Sequence, residues 1–238
     1  MTGALTVPDA RRISIIIPVL NEAERLELLL PYLGQNQRSG AVCEIIVVDG
    51  GSTDGSPEAA RRLGATVLPS PCGRARQMNA GARVAQGGIL YFLHADSFPP
   101  PGYDTLILQA AERGQAAGCF RLRFDEPNRI LAFFAWFTRF NWLLCRGGDQ
   151  SLFVPGRLFR QLGGFDEAYA VYEDNEFIRR LSRSATFTVL PQRIMTSARK
   201  YRRIGVLRLQ YYFGVIHLKN YLGAKPDSLY RYYRRKIA

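Results

Sequence analysis

The chain has 238 residues, 47% hydrophobic and 22% charged, which excludes a disordered chain and leaves room for one large α/β domain or at most two small ones. Its net charge of +12 is segregated: from Arg193 to Ala238 twelve Lys or Arg stand against one acid, Asp227, while residues 1–192 are close to neutral. Such a basic tail points to an anionic partner, whether a phosphate group, a membrane surface or a nucleic acid.

The opening MTGALTVPDA has no basic n-region and no apolar run, so it reads as carrying no signal peptide. ISIIIPVL is a buried strand with Pro18 marking its end, and EAERLELLLPYL has apolar residues at helical spacing. EIIVVD is a second buried strand. SPEAARRLG is a short helix with Ser56 as N-cap, Pro57 at the first helical position and Gly64 past its end. ATVLP is a third strand, RARQMNAGARVAQ a helix and ILYFLHAD a fourth strand. β-Branched runs alternating with helices predict a Rossmann-like, mostly parallel sheet with helices on both faces. Farther on, GCFRLRF alternates like a partly exposed strand, and RILAFFAWFTRFNWLL reads as a strongly apolar helix. Neither this stretch, which contains Arg139, nor Ile204–Leu222, which carries Arg208, His217 and Lys219, is apolar for the roughly twenty residues that span a bilayer. The second fits a helix packed on the domain or lying at a membrane interface. The expected organisation is a domain over 1–192 followed by a basic, tyrosine-rich helical segment over 193–238. The four cysteines, at 43, 72, 119 and 145, lack metal-ligand spacing and read as reduced cytosolic thiols. The expected location is cytoplasmic, with the tail able to touch the inner face of the membrane.

In parallel α/β sheets ligands bind beyond the carboxyl ends of the strands. Here the first strand leads to Asn21 and Glu22, the second to Asp49, and the fourth to His94 and Asp96. Gathering anions at one sheet edge is costly unless they accept hydrogen bonds or hold a cation. A nucleotide with a divalent metal satisfies that condition. Asp49 can accept a base N–H, Asp54 can contact the ribose or cap the helix, and Asp96 can coordinate a metal that neutralises a diphosphate. Neither G-x-G-x-x-G after the first strand nor G-x-x-x-x-G-K-[ST] nor G-x-S-x-G occurs, which argues against a dinucleotide dehydrogenase, a P-loop NTPase and an α/β-hydrolase nucleophile elbow.

Four stretches in order resemble glycosyltransferase family 2, with its GT-A fold: SIIIPVLNEAERL, EIIVVDGGSTDGS, GRARQMNAGARVAQGGILYFLHAD and LGGFDEAYAVYEDNEFIRRL. FLHADS and GGDQ further resemble the small bacterial members associated with arsenosugar biosynthesis. The resemblance implies an inverting, metal-dependent transfer of one sugar from a nucleotide-sugar, most simply a UDP-sugar, to a hydroxyl of a small-molecule or lipid-linked acceptor. It assigns Pro18, Asn21, Glu22, Asp49 and Asp54 to the nucleotide and Asp96 to Mn²⁺ or Mg²⁺. Asp174 becomes the base that takes the acceptor proton, with Glu173 as its neighbour or an acceptor contact. Alone, the acidic YEDNEF also reads as a favourable first helical turn. Arg74 pairs with nucleotide or phosphate, Asn79 faces the nucleotide or the sheet, and Arg199 in SARKYRR sets positive charge against the leaving group. Gly148, Asp149 and Gln150 lie near the acceptor or form an ordinary turn.

Two features depart from the family pattern. His94 stands where many members have the first aspartate of the metal motif, so it either supports the metal or is a satisfied strand-end histidine. Asp49 stands without the paired aspartate common there. No Q-x-x-R-W motif is present, which disfavours a processive synthase. A nucleotidyltransferase would share the acidic sheet edge but carry a glycine-rich basic loop after its first strand, which PVLNEAERL is not. The tail sequence LYRYYRRK suits a nucleic acid or an anionic membrane, with no recognisable nucleic-acid module beside it.

Overall fold

The computed structural model describes residues 9–237. The stretch read as lacking a signal peptide lies outside the described residues up to Pro8.

In chain order the elements are β1 (Asp9–Val19), α1 (Ala23–Asn36), β2 (Val42–Asp49), α2 (Ser56–Arg62), β3 (Thr66–Pro69), α3 (Arg74–Val84) and β4 (Gly87–Phe92). There follow β5 (Ser97–Phe98), α4 (Tyr103–Glu112), β6 (Ala117–Phe124), α5 (Arg129–Phe137), β7 (Leu152–Pro155), α6 (Gly156–Gln161), α7 (Glu173–Ser184) and β8 (Phe187–Thr196). Helices α8 (Arg199–Ile204), α9 (Val206–Tyr221) and α10 (Pro226–Lys236) complete the chain. Among the described residues no helix is long and apolar enough to cross a membrane, and all four thiols are free.

The strands form one sheet in the order β3-β2-β1-β4-β7-β6-β8-β5. Pairing is parallel from β3 through β4 and again between β6 and β8. It is antiparallel where β7 joins β4 and β6, and where β5 joins β8. This is the α/β, GT-A architecture that the resemblance implied, with its parallel half at the N-terminus. β1 explains its own sequence: Ile13, Ile15, Ile17 and Val19 enter one core and Ile16 the other, so both faces are covered and no polar alternation is possible. Leu26, Leu29 and Leu33 of α1 and Ile107 of α4 cover the first face. Helices α3, α6 and α7 cover the second through Met78, Phe159, Phe177 and Leu181. Helix α3 lies so close that a Cβ on Gly81 would fall 2.6 Å from Ile16.

Three local expectations change. β1 runs past Pro18 to Val19; its pairing with β4 ends at Ile16, so the missing proline N–H removes no bond on that side. Gly55, at φ 84°, caps α2, and Ser56 lies inside the helix. The apolar run from Arg129 is helical only to Phe137. There the Thr138 hydroxyl donates back to the Ala135 carbonyl (2.6 Å) and accepts the Leu122 N–H (2.9 Å). Arg146 then donates to the Thr138 and Phe140 carbonyls, drawing the chain into a turn.

β8 continues past residue 192 to Thr196, so the helical C-terminal segment begins after the sheet ends. Its helices build a third core with α5: Leu209, Ile216 and Leu229 meet Phe124 and Leu131.

Candidate active site

The turns after β1 and β2 are knitted into one rim. The backbone N–H groups of Asn21, Glu22 and Ala23 donate to Ser52 Oγ, Ser56 Oγ and an Asp54 oxygen at 2.8–2.9 Å. Asn21, in the left-handed region at φ 54°, accepts the Thr53 N–H in return. Asp54 also accepts the Ser56 N–H and hydroxyl. Burial works to raise its carboxyl, and these hydrogen bonds prevail and hold it below the usual range. Both Asp54 oxygens are thus engaged within the rim: one takes the first N–H of α1, from Ala23, and the other the first N–H of α2, from Ser56. Asp49, buried at the end of β2, accepts the Gly51 and Ser52 N–H groups and stands beside Val19 across the sheet. Pro18 is half-buried in β1 beneath this rim.

The chain beyond β4 brings His94 and Asp96 to the same edge. Asp96 is 22% exposed, and Arg199 of α8 approaches it at 3.9 Å while bonding Glu22 at 2.7 Å. The Arg199 bridge therefore joins the first turn to the C-terminal segment. His94 turns Nδ1 toward Asp149 at 3.4 Å. Among the described residues no three His, Cys, Asp or Glu side chains gather as a metal-ion ligand set. Mn²⁺ and Mg²⁺ take as few as one or two carboxylates plus phosphate oxygens and water, and the partly exposed Asp96 would supply one such carboxylate. The Asp149 contact holds the His94 ring by its Nδ1 edge.

A cavity of about 540 Å³ opens beside this edge. Its charged residues are Arg74 from the start of α3, Arg146, Asp149, Glu173 and Asp174 from the start of α7, and Lys200. Much of the rest is apolar, including Phe124, Phe133, Phe134, Phe137, Phe213 and Ile216. Glu173 is 2% exposed. Burial, then the negative charge of Asp174, push its carboxyl up to about 7 against the pull of Arg74 and Lys200. Asp149 goes the other way. Burial opposes its ionisation, but the His94 hydrogen bond and the charges of Lys200 and Arg74 hold it well below the carboxylate range. Arg74 is solvent-accessible as a residue. Desolvation works against its charge, and Glu173, Asp149 and Asp174 more than compensate.

The helix that presents the two carboxylates starts from Tyr172, a non-glycine residue in the left-handed region at φ 74°. Its hydroxyl meets His217 Nδ1 of α9 at 2.9 Å, so the C-terminal segment braces the start of α7. Burial lowers the His217 imidazole while Asp174 pulls it back up.

The residues read from the sequence thus fall into two adjoining groups. Asn21, Glu22, Asp49, Asp54, Asp96 and Arg199 share the strand-end rim; Arg74, Asp149, Glu173 and Asp174 share the cavity. His94 links them. Gly148 opens the short turn Gly148–Gln150. Gln150 borders the cavity, but its amide is locked by Arg146 and the Cys145 carbonyl. Asn79 lies apart. Its side chain donates to the Phe165 carbonyl and Glu167 and accepts the Phe165 N–H, clamping the loop that follows Gly164. Asn79 is therefore assigned to that loop instead of a nucleotide, because both ends of its amide are already used. Lys200, Tyr172, His217 and the aromatic wall of α5 were not singled out from the sequence. The apolar run at 129–144 was the visible signal for the wall; nothing local marks the others.

Residues 14–153 match the family model for glycosyl transferase family 2. The undecaprenyl-phosphate 4-deoxy-4-formamido-L-arabinose transferase of Pectobacterium atrosepticum is 29% identical over 219 residues, covering 87% of this chain. The chain spans 63% of that relative's length. A mannosyltransferase from Pyrobaculum calidifontis, solved with GDP-Man and Mn²⁺, superposes with a TM-score of 0.62 at 23% identity, over 89% of this chain and 66% of its own. Glucosyl-3-phosphoglycerate synthase from Mycobacterium tuberculosis, solved with Mn²⁺, UDP and glucosyl-3-phosphoglycerate, gives 0.63 at 18% identity, over 90% and 81%. These two likenesses speak for the fold.

Proposed function

The chain belongs to glycosyl transferase family 2, and from that premise we propose a metal-dependent, inverting, non-processive transfer of a sugar from a UDP-sugar to the hydroxyl of a lipid-linked acceptor. The observation that carries this reading is the Glu173–Asp174 pair at the start of α7, set with Arg74 and Lys200 in an otherwise largely apolar cavity beside the strand-end rim.

Asp174 takes the acceptor proton as the acceptor oxygen attacks the anomeric carbon and the diphosphate departs on the opposite side, which inverts the configuration. Glu173, with a carboxyl near 7, shares a proton with the acceptor and keeps two full negative charges from facing each other. On the donor side Asp49 serves the base and the rim of Asn21 and Glu22 holds the nucleotide, while Asp54 keeps that rim in shape. Asp96, with His94 behind it, would hold Mn²⁺ or Mg²⁺, which supplies Lewis-acid neutralisation of the leaving diphosphate. Arg199 adds a positive charge at the same edge. Two facts favour a lipid-linked acceptor: the aromatic wall, and the undecaprenyl phosphate named in the Pectobacterium relative.

Calorimetric titration with UDP, GDP and ADP, each with and without Mn²⁺, tests this. UDP with Mn²⁺ is expected to bind best, and Asp96→Ala to abolish the metal dependence. Failure of all three nucleotides to bind overturns the reading.

A further inference from the structure

Two apolar surfaces have no cover within the described chain. Helix α9 buries Leu209 and Ile216 in the third core, yet its other side shows Leu207, Tyr211, Leu218, Tyr221 and Leu222, aligned by helical spacing. A helix apolar on two sides has both sides covered in its working state. Helix α5 buries only Leu131 of its nine residues. Ile130, Phe133 and Trp136 stay open, and the surface continues through Trp142 and Leu144, which are 58% and 74% exposed. Scattered apolar residues on a surface are ordinary, but contiguous ones mark contact sites. Both surfaces border the active-site cavity: Phe133, Phe137 and Leu144 line it from one side, Phe213 and Ile216 from the other.

Charge selects the occupant. The apolar residues are interleaved with cations: Arg129, Arg208, Lys219, and Arg139, whose guanidinium sits 4.5 Å over the Trp136 ring. The segment from Arg193 onward holds twelve cations and one acid. A second copy would set like charge against like. An anionic bilayer complements both parts, with headgroups meeting Lys and Arg and the acyl boundary receiving Trp, Tyr and Leu.

We infer that the α5–α9 face docks on an anionic membrane leaflet and opens the cavity toward it. The acceptor's lipid portion then passes along the Phe133–Leu144 wall without crossing water. This passage rests on the lipid-linked acceptor proposed above; the docking itself rests on the surface.

The chain's two tryptophans, Trp136 and Trp142, both lie on this face and report on it directly. The full chain is mixed with phosphatidylcholine vesicles, with and without phosphatidylglycerol, and followed by co-sedimentation, tryptophan emission and quenching by brominated lipid. The triple variant Leu218→Ser, Tyr221→Ser, Leu222→Ser alters only exposed residues outside the cavity lining. Expected are a blue shift and quenching with anionic vesicles, and at least tenfold weaker partitioning both to neutral vesicles and for the triple variant. No emission change, equal partitioning of the variant, or a stable dimer dispersed by the triple substitution would each overturn the inference. UDP titration of the same samples separates the two claims. Nucleotide binding without vesicle binding sinks the docking alone, and vesicle binding without nucleotide binding sinks the transferase reading alone.

Discussion

Glu173→Gln removes a charge that folding forces into a nearly inaccessible position. Burial first, and Asp174 second, raise the carboxyl from the usual 4.5 to about 7. The unfolded chain releases this proton near the ordinary value, so the folded protein binds it more tightly. The resulting stability is fully present below about pH 4.5, falls as pH rises, and is gone above about pH 7. At about 1.4 kcal/mol per pH unit, the gap between the two values amounts to roughly 3 kcal/mol. Glutamine has no such proton to lose. The variant should therefore gain roughly 3 kcal/mol relative to the parent between about pH 4.5 and about pH 8, or roughly 6–12 °C in Tm for a chain of this size. Urea unfolding of both proteins across that range measures the difference. Stability curves that stay parallel throughout would refute the idea that Glu173 is a buried carboxylate with a retained proton.

Two further outcomes follow from the site. Asp174→Asn should lower kcat by roughly 10²–10⁴-fold and leave UDP binding unchanged; a full-rate variant would remove Asp174 from the proton transfer. Asn79→Ala should cost about 1–3 kcal/mol in unfolding free energy, because it leaves the buried Phe165 N–H and carbonyl without their partner. Its nucleotide affinity should match the parent's, and a large loss of UDP binding would return Asn79 to the donor site.

Much of the strand-end rim could be read from residues close in sequence. Asp49 sits where an apolar run stops, and Asp54 lies among glycine, serine and threonine, so a turn with capping groups was expected. That Asp54 also takes the first N–H of α1 was not, because that partner, Ala23, lies on another element. The same holds for Asn79: the sequence places it on a helix facing the sheet, but the loop it clamps lies 86 residues away.

What the sequence determined by itself were the features governed by local periodicity: continuous apolar strands, helices with a leucine stripe, turns built on glycine, and a basic, aromatic C-terminus. Tertiary structure alone decided which distant groups share a volume. It set His94 against Asp149, Glu22 against Arg199, Tyr172 against His217, and the α5 aromatics across the cavity from α9. Charges and protonation follow from that placement. The sequence shows a glutamate beside an aspartate at a helix start; only enclosure by the cavity walls makes one of them hold its proton near neutrality.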